Sequence, residues 1–336
     1  MKSLLQGVIV LLIFFINLDI STLFSQVIYC HNGGTEIGIL PDLGGRTVIL
    51  RKAEGENLLK SVPETWNEPE SERPVPNVLH PAMKSYMGQI VWLGPQSDWW
   101  IQQNVNKKLK DQAAQWPPDP YLIYGNYRIM SQSDSSIHMQ GPDSPVSGLR
   151  LTKHIRLDHE GKVHFRVTGQ NIRDKDVCWD LWWNLRTSGF NRCYVAVRNT
   201  SDIRISHSYS AKRPVPHAIL NGYFMFLPDR SSKERQTAKA FIYPKTGIIA
   251  AFQDNQVLLI HFNKLDRSKI HPDQGHVEIY QDTGSGSDEL LELEHHAAYQ
   301  CLLPGEIMSA EEVWKIVPYS GDSTPDAHTA FLQSIE

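Results

Sequence analysis

The sequence predicts an all-β protein, a large antiparallel sandwich interrupted by two long insertions. Three observations predict it. Short β-type runs separated by turn residues recur along nearly the whole chain. No segment beyond the N-terminus sustains a helical period of normal length. Neither an internal repeat nor a clean linker divides the 336 residues, a length sufficient for one large core.

In chain order, residues 1–26 read as an export signal: Lys2 gives a positive start, Val8 to Ile16 a short apolar core, and Leu23-Phe24-Ser25-Gln26 a small residue for cleavage. The apolar run is too short for a comfortable membrane span and is followed by Asn17 and Asp19, with an uncleaved anchor as the alternative. Cys30 invites a lipoprotein reading, but Val27-Ile28-Tyr29 lacks the small residues such processing uses. The mature protein is therefore expected to be secreted, into a periplasm, with a domain over 27–317 and a tail over 318–336. Strands are expected at 35–40, 47–52, 127–131, 136–140, 149–157, 162–170, 177–186, 194–198 and 203–206, then at 223–227, 248–253, 256–263, 276–282, 290–297 and 307–317. Gly44-Gly45, His159-Glu160-Gly161, Asp254-Asn255 and Pro304-Gly305 supply turns between them. Residues 107–115 and 327–335 are expected to form single short helices.

Charge excludes several partners. With 33 Lys+Arg against 37 Asp+Glu there is no basic field for nucleic acid, nor for a membrane surface once the signal is removed. Four scattered cysteines make no disulfide scaffold; Cys178 and Cys193 are a candidate pair in an oxidising compartment, with two buried thiols as the alternative. Cys-x-x-Cys, His-Glu-x-x-His, a phosphate-cradling glycine loop and Gly-x-Ser-x-Gly are all absent from the sequence. Nucleotide, zinc-protease and serine-hydrolase readings have nothing to stand on, and no cofactor is expected.

The densest chemistry lies in the strands 276–282 and 290–297. Alternation places His276, Glu278, Tyr280 and Asp282 on one face of the first, and Glu292, Glu294 and His296 on one face of the second. If the hairpin pairs symmetrically, Glu278 meets Glu294 and His276 meets His296. Same-face neighbours on a strand sit only ~7 Å apart, so the group must be solvated, bind a cation or move protons. A charged face turned to water is the ordinary alternative. The insertions 63–81 and 102–120 flank Trp92-Leu93-Gly94-Pro95-Gln96-Ser97-Asp98-Trp99-Trp100, whose indoles beside Gln96 suit stacking on a sugar, with at least two of Trp66, Trp92, Trp99, Trp100 and Trp116 expected to be exposed. Packing of those rings onto the sheet is the alternative. On the strand 177–186, Asp180, Trp182, Asn184 and Arg186 share a face able to hold a polyol, or to brace the sheet through an Asp180–Arg186 pair.

Three segments carry a resemblance. Leu40-Pro41-Asp42-Leu43-Gly44-Gly45-Arg46 with the following Gly55-Glu56-Asn57-Leu58-Leu59, the central Trp182-Trp183-Asn184-Leu185, and Leu291-Glu292-Leu293-Glu294-His295 through Leu303-Pro304-Gly305-Glu306 to Trp314 stand in order across nearly the whole mature chain. The chain thereby resembles the galactose mutarotase (aldose 1-epimerase) superfamily, and within it secreted bacterial mutarotase-like proteins. The resemblance implies an antiparallel β-supersandwich with a carbohydrate groove on its concave face. It also implies anomer exchange, in which a carboxylate takes the anomeric proton while an imidazole protonates the ring oxygen. Glu294 matches the base. The family's central histidine is replaced by Asp180 or Leu185, depending on the match, and the upstream His-Gly-Gly reads Val91-Trp92-Leu93-Gly94-Pro95. Asp180, His276 and His296 are therefore the candidate acids. Arg46, Trp92, Gln96, Trp99, Trp100, Trp182, Asn184, Arg186, Glu278 and Glu292 are the candidate sugar contacts. Two other functions compete: a non-catalytic glycan-binding module that has lost the acid, and a structural sandwich holding Ca²⁺ on Glu278, Asp282, Glu292 and Glu294.

Overall fold

Two large sheets result from the alternating runs, each pairing almost wholly antiparallel. The computed structural model describes residues 27–66, 68–81, 83–189, 191–206, 213–284 and 289–335. The segment read as a signal and most of the Gly/Ser turn after Asp282 lie outside the described residues. One sheet runs in the order β1 (Ile28–Asn32), β2 (Thr35–Leu40), β3 (Arg46–Lys52), β4 (Gln89–Gly94), β9 (Val177–Thr187), β19 (Leu290–His296), β18 (Val277–Asp282), β15 (Gln236–Ile242), β11 (Ile203–Ser206). Short β12 (Arg213–Pro214) joins β15, and β20 (Gln300–Leu302) joins β9. The second sheet runs β13 (His217–Leu220), β14 (Tyr223–Phe226), β10 (Arg192–Ala196), β16 (Ile248–Gln253), β17 (Gln256–Phe262), β21 (Ile307–Pro318), β8 (Val163–Asn171), β7 (Leu149–Leu157), β6 (Ser136–Asp143), β5 (Arg128–Ser133).

The core lies between the sheets. On β9, Trp179, Leu181, Trp183 and Leu185 point into it, joined by Leu291 and Leu293 of β19 and by Ile260 and Trp314 from the opposite sheet. Each such side chain contributes about 1.5–3 kcal/mol on burial. His295 also faces this interior, stacked between Trp183 and Phe262, with its Nε2 2.8 Å from Glu312 Oε2 of the opposite sheet. Burial pushes the His295 imidazole well below its ordinary range and the Glu312 carboxyl well above its own, so both are neutral and the pair is a hydrogen bond between uncharged partners.

The Gly44-Gly45 turn fixes the end of β3. Both glycines have positive φ, and a Cβ on Gly44 would come within 2.6 Å of the Leu122 carbonyl oxygen. Arg46, next in the chain, is buried there, donating to the Met87 carbonyl at 2.6 Å and the Ile123 carbonyl at 3.3 Å. It ties the start of β3 to Met87 and to the helical segment carrying Ile123, a structural role in place of the expected sugar contact.

Several expectations are corrected by long-range pairing. The strands β1, β4, β12, β13, β15 and β20 were not anticipated. In β4 the run Gln-Ile-Val-Trp-Leu-Gly is apolar on both faces, which hides its period, and in β15 small alanines weaken the β signal. The 107–115 helix is shorter, Lys107–Asp111, and a further one at Pro120–Tyr124 is capped by Asp119 accepting from Tyr121 N–H. The C-terminal helix Pro325–Ile335 packs on the second sheet, its His328 stacked on Phe252 at 3.8 Å and bonded to Tyr194 Oη at 2.9 Å. The disulfide joins Cys178 to Cys301, which stand opposite each other on β9 and β20, while Cys193 is a buried free thiol.

Candidate functional site

A single transverse row of side chains crosses the first sheet. Register pairs Arg204 with Phe241, Phe241 with Glu278, Glu278 with Glu294, Glu294 with Asn184 and Asn184 with Ile90, across β11, β15, β18, β19, β9 and β4. The symmetric hairpin is therefore as expected, with His276 and His296 joined by a 3.0 Å backbone bond. The side chains of this row on the outer face, with Asp180, Trp182, Lys239 and His296, form one cluster.

Lys239 is its electrostatic centre. Its ammonium lies 2.7 Å from Glu278 Oε2 and 3.0 Å from Glu294 Oε2, over the Trp182 ring. Trp182 Nε1 donates to the same Glu294 Oε2 at 2.8 Å. His296 bridges the other side, with Nδ1 3.0 Å from Asp180 Oδ1 and Nε2 3.3 Å from Glu278 Oε1. The Gln274 side-chain amide lies 2.8 Å from His296 Nδ1, and Gly94 makes room for it: a Cβ there would sit 2.1 Å from Gln274 Nε2 and 2.7 Å from Asp180 Oδ2.

The protonation states follow from these contacts. Burial, together with Glu292 and Glu278, raises the Glu294 carboxyl to about 8 despite Lys239. Burial also opposes charge on Glu278, yet Lys239 and His296 hold it down at about 2. His296 is buried, but Asp180 and Glu278 raise it to about 9, and the two glutamates raise Lys239 as well. At neutral pH the cluster thus holds an ionised Glu278, an imidazolium, an ammonium and a mostly protonated Glu294. Asp180 Oδ2, Asn184 Oδ1 and Nδ2, and Glu294 Oε1 are buried with no hydrogen-bond partner among the described residues. Unpaired buried polar atoms cost about 1–3 kcal/mol each, so a concentration of them sets this cluster apart from an ordinary packed face.

Trp182, Lys239 and Glu278 of the cluster line an open cleft of about 490 Å³ together with Gln96, Arg204, Phe241 and Gln274, while Glu294, His296, Asp180 and Asn184 are buried outside its lining. Glu278 reaches it directly. The tryptophan cluster behaves differently from expectation. Trp92, Trp99 and Trp100 are buried, Trp99 Nε1 donating to the Leu93 carbonyl and Trp100 Nε1 to the Pro117 carbonyl, and Trp92 packs edge-on against Trp99 and Trp182. They form the wall beneath the loops and not a stacking surface; of Trp66, Trp92, Trp99, Trp100 and Trp116, only Trp116 is exposed, at 53%. Arg186 pairs with Glu292 at 2.8 Å under Trp92, so the Asp180–Arg186 brace gives way to Arg186–Glu292 and Asp180–His296. His276 turns toward Phe262 and accepts from Leu265 N–H; burial and His296 depress it to about 4, which leaves it neutral and outside the cluster.

Glu278, Glu294 and His296 offer atoms within 4.8 Å of one another, a spacing a metal ion would accept, but Lys239 already supplies the cation between the carboxylates. Asp282 is engaged by Arg235 and Glu292 by Arg186, so the four carboxylates do not converge as a Ca²⁺ site needs. Sequence reasoning missed Lys239, Gln274, Phe241 and Arg204. The signal for Lys239 was the alternation of Thr237, Lys239 and Phe241 against Ala238, Ala240 and Ile242.

Two facing antiparallel sheets of this size give the chain the fold of solved galactose mutarotase-like β-sandwich structures. Similar solved structures include the Slr1438 protein of Synechocystis sp. PCC 6803, with TM-score 0.51 and 11% identity over 87% of this chain and 95% of that one. A galactose mutarotase related enzyme from Lactobacillus acidophilus gives TM-score 0.51 and 10% identity over 89% and 99%. A TPR-domain containing protein from Parabacteroides distasonis shares the fold over 47% of its length, with TM-score 0.51 and 12% identity. The chain belongs to the family described as Domain of unknown function (DUF4380), whose profile matches residues 26–317. Among curated proteins none matches this sequence.

Proposed function

We propose that the protein binds a carbohydrate in this cleft and catalyses aldose-1-epimerase-like anomer exchange, with Glu294 as base and His296 as acid. The observation that carries the reading is the adjacency of two buried proton-active groups, both displaced to the range 8–9, with ligand atoms within 4.8 Å. Ionised Glu294 takes the proton of the anomeric hydroxyl, the C1–O5 bond breaks, and the His296 imidazolium protonates O5. Rotation about C1–C2 and the reverse transfers then close the other anomer. Asp180 orients His296, and Asn184 with its unpaired amide supplies hydroxyl contacts.

The reaction needs Glu294 ionised and His296 protonated. Its rate rises as pH passes about 8, where the base loses its proton, and falls above about 9, where the acid does. NMR exchange spectroscopy on a panel of aldoses should give a bell with its maximum between those values; a flat profile from pH 7 to 10 would remove this pair. A binding-only module is the second reading, favoured by the complete burial of Glu294 behind Lys239. Saturation transfer to a sugar without accelerated exchange would select it.

Export accompanies this reading. The N-terminal Lys2 and apolar run support it, as does the Cys178–Cys301 disulfide, a bond that persists in oxidising compartments. Peptide mapping without reductant, on protein from the native host, is expected to find a mature N-terminus near Val27 and a Cys178–Cys301 link, with Cys30 and Cys193 alkylated only after unfolding. A retained residue 1 with all four thiols free would refute export.

A further inference from the structure

We propose that the cleft selects acidic sugars, with Arg204 receiving the carboxylate of a uronic acid; the inference rests on the carbohydrate reading above and names its substrate class. Arg204 is exposed on β11, the outermost strand of the row, and lines the cleft beside Lys239 and Glu278. Its guanidinium lies 3.7 Å from the centroid of the Phe241 ring, and Phe241 pairs directly with Glu278. Stacking on an aromatic face holds the planar fork in one orientation, so less freedom is lost when it binds an anion.

Its polar partnership is incomplete. Nη2 donates to the Asp273 backbone carbonyl at 2.8 Å, and no carboxylate of the described residues forms an ion pair with Arg204. The Asp273 side chain in the cleft wall is instead engaged by Ser97 Oγ at 3.0 Å and lies 3.8 Å from His271 Nδ1. The cations beside the row are neutralised: Lys239 lies between two glutamates, and Arg186 holds Glu292. Arg204 is thus a pre-oriented cation left without a countercharge at the mouth of a sugar-sized cleft.

The spacing suits this role. Strands lie about 4.8 Å apart, so a guanidinium over β15 stands roughly 10 Å from the strand bearing Glu294, two strands away. A pyranose with its reducing carbon at the Glu294–His296 pair and its exocyclic carboxylate pointing along the row covers a span of that order. A uronate as the next residue of a short glycan would reach the same guanidinium. A carboxylate also matches the fork geometry better than a neutral hydroxymethyl group, because it accepts two parallel N–H bonds.

The test compares affinity and anomer exchange for galacturonate and glucuronate with galactose and glucose, and with glucose 6-phosphate as a differently shaped anion, on the full mature protein. Wild type should prefer the uronates by at least tenfold, with the preference shrinking as salt rises. Arg204→Ala should lower the uronate-to-hexose ratio about tenfold, and Arg204→Lys should recover only part of it, because an ammonium cannot form the fork. Equal affinity for uronates and neutral hexoses, a ratio unchanged in Arg204→Ala, or a preference for the phosphate ester would overturn the assignment. Neutral sugars that bind and exchange without uronate preference would overturn this inference and leave the carbohydrate reading standing. Binding of no sugar at all would overturn both.

Discussion

Lys239→Met is expected to destabilise the protein by about 3–5 kcal/mol at pH 7, the usual consequence of removing one partner from a buried ion pair. Methionine preserves length and apolar volume but leaves Glu278 buried with only His296 and the Gly275 N–H to offset its charge. The acid side of the stability curve should change too. In the wild type the Glu278 carboxyl is held at about 2 against an ordinary 4.5, so its stabilisation is complete above 4.5 and lost as pH falls toward 2. Without Lys239 that folded-state value rises and the contribution disappears. Urea unfolding at pH 7 and pH 4 measures both effects. A loss below about 1 kcal/mol at pH 7 would mean that the carboxylates shed their charge at little cost, and that Lys239 is not the cluster's electrostatic centre.

Glu294→Gln is expected to reduce anomer exchange by roughly 10²–10⁴-fold, the range that one general base contributes. The fold should survive. Glu294 is mostly protonated at pH 7, so glutamine replaces one neutral side chain of the same shape by another. The Trp182 indole still finds an oxygen, and Lys239 retains Glu278. Exchange rates by NMR, alongside a thermal melt shifted by no more than a few degrees, would together isolate the chemical role. Undiminished exchange would eliminate Glu294 as the base and move the search to Glu278, which is ionised and faces the cleft.

Much of the fold was legible because a strand's period is local. The boundaries of Thr35–Leu40, Leu149–Leu157, Ile203–Ser206 and Ile248–Gln253 follow from alternation and turn residues alone. So does the facing of Glu278 and Glu294 across a hairpin. The strand carrying Lys239 was not legible, since two alanines and a lysine make a poor β signal until Glu278 and the neighbouring strand are known to lie beside them. The tryptophans misled for a related reason: an indole beside polar residues reads the same whether it stacks on a sugar or on Trp182.

The sequence by itself determined the sandwich class, the faces of its strands and the Glu294-bearing hairpin, because side-chain direction along a strand depends only on position within it. The tertiary structure alone decided which charges meet. It paired Cys178 with Cys301, buried Trp92, Trp99 and Trp100, turned His276 away, set Lys239 between two glutamates and left Arg204 on Phe241 without an anion. Those outcomes depend on the order of strands that are not neighbours in sequence, 123 residues apart for Cys178 and Cys301, and a protonation state belongs to the neighbours that such an order brings together.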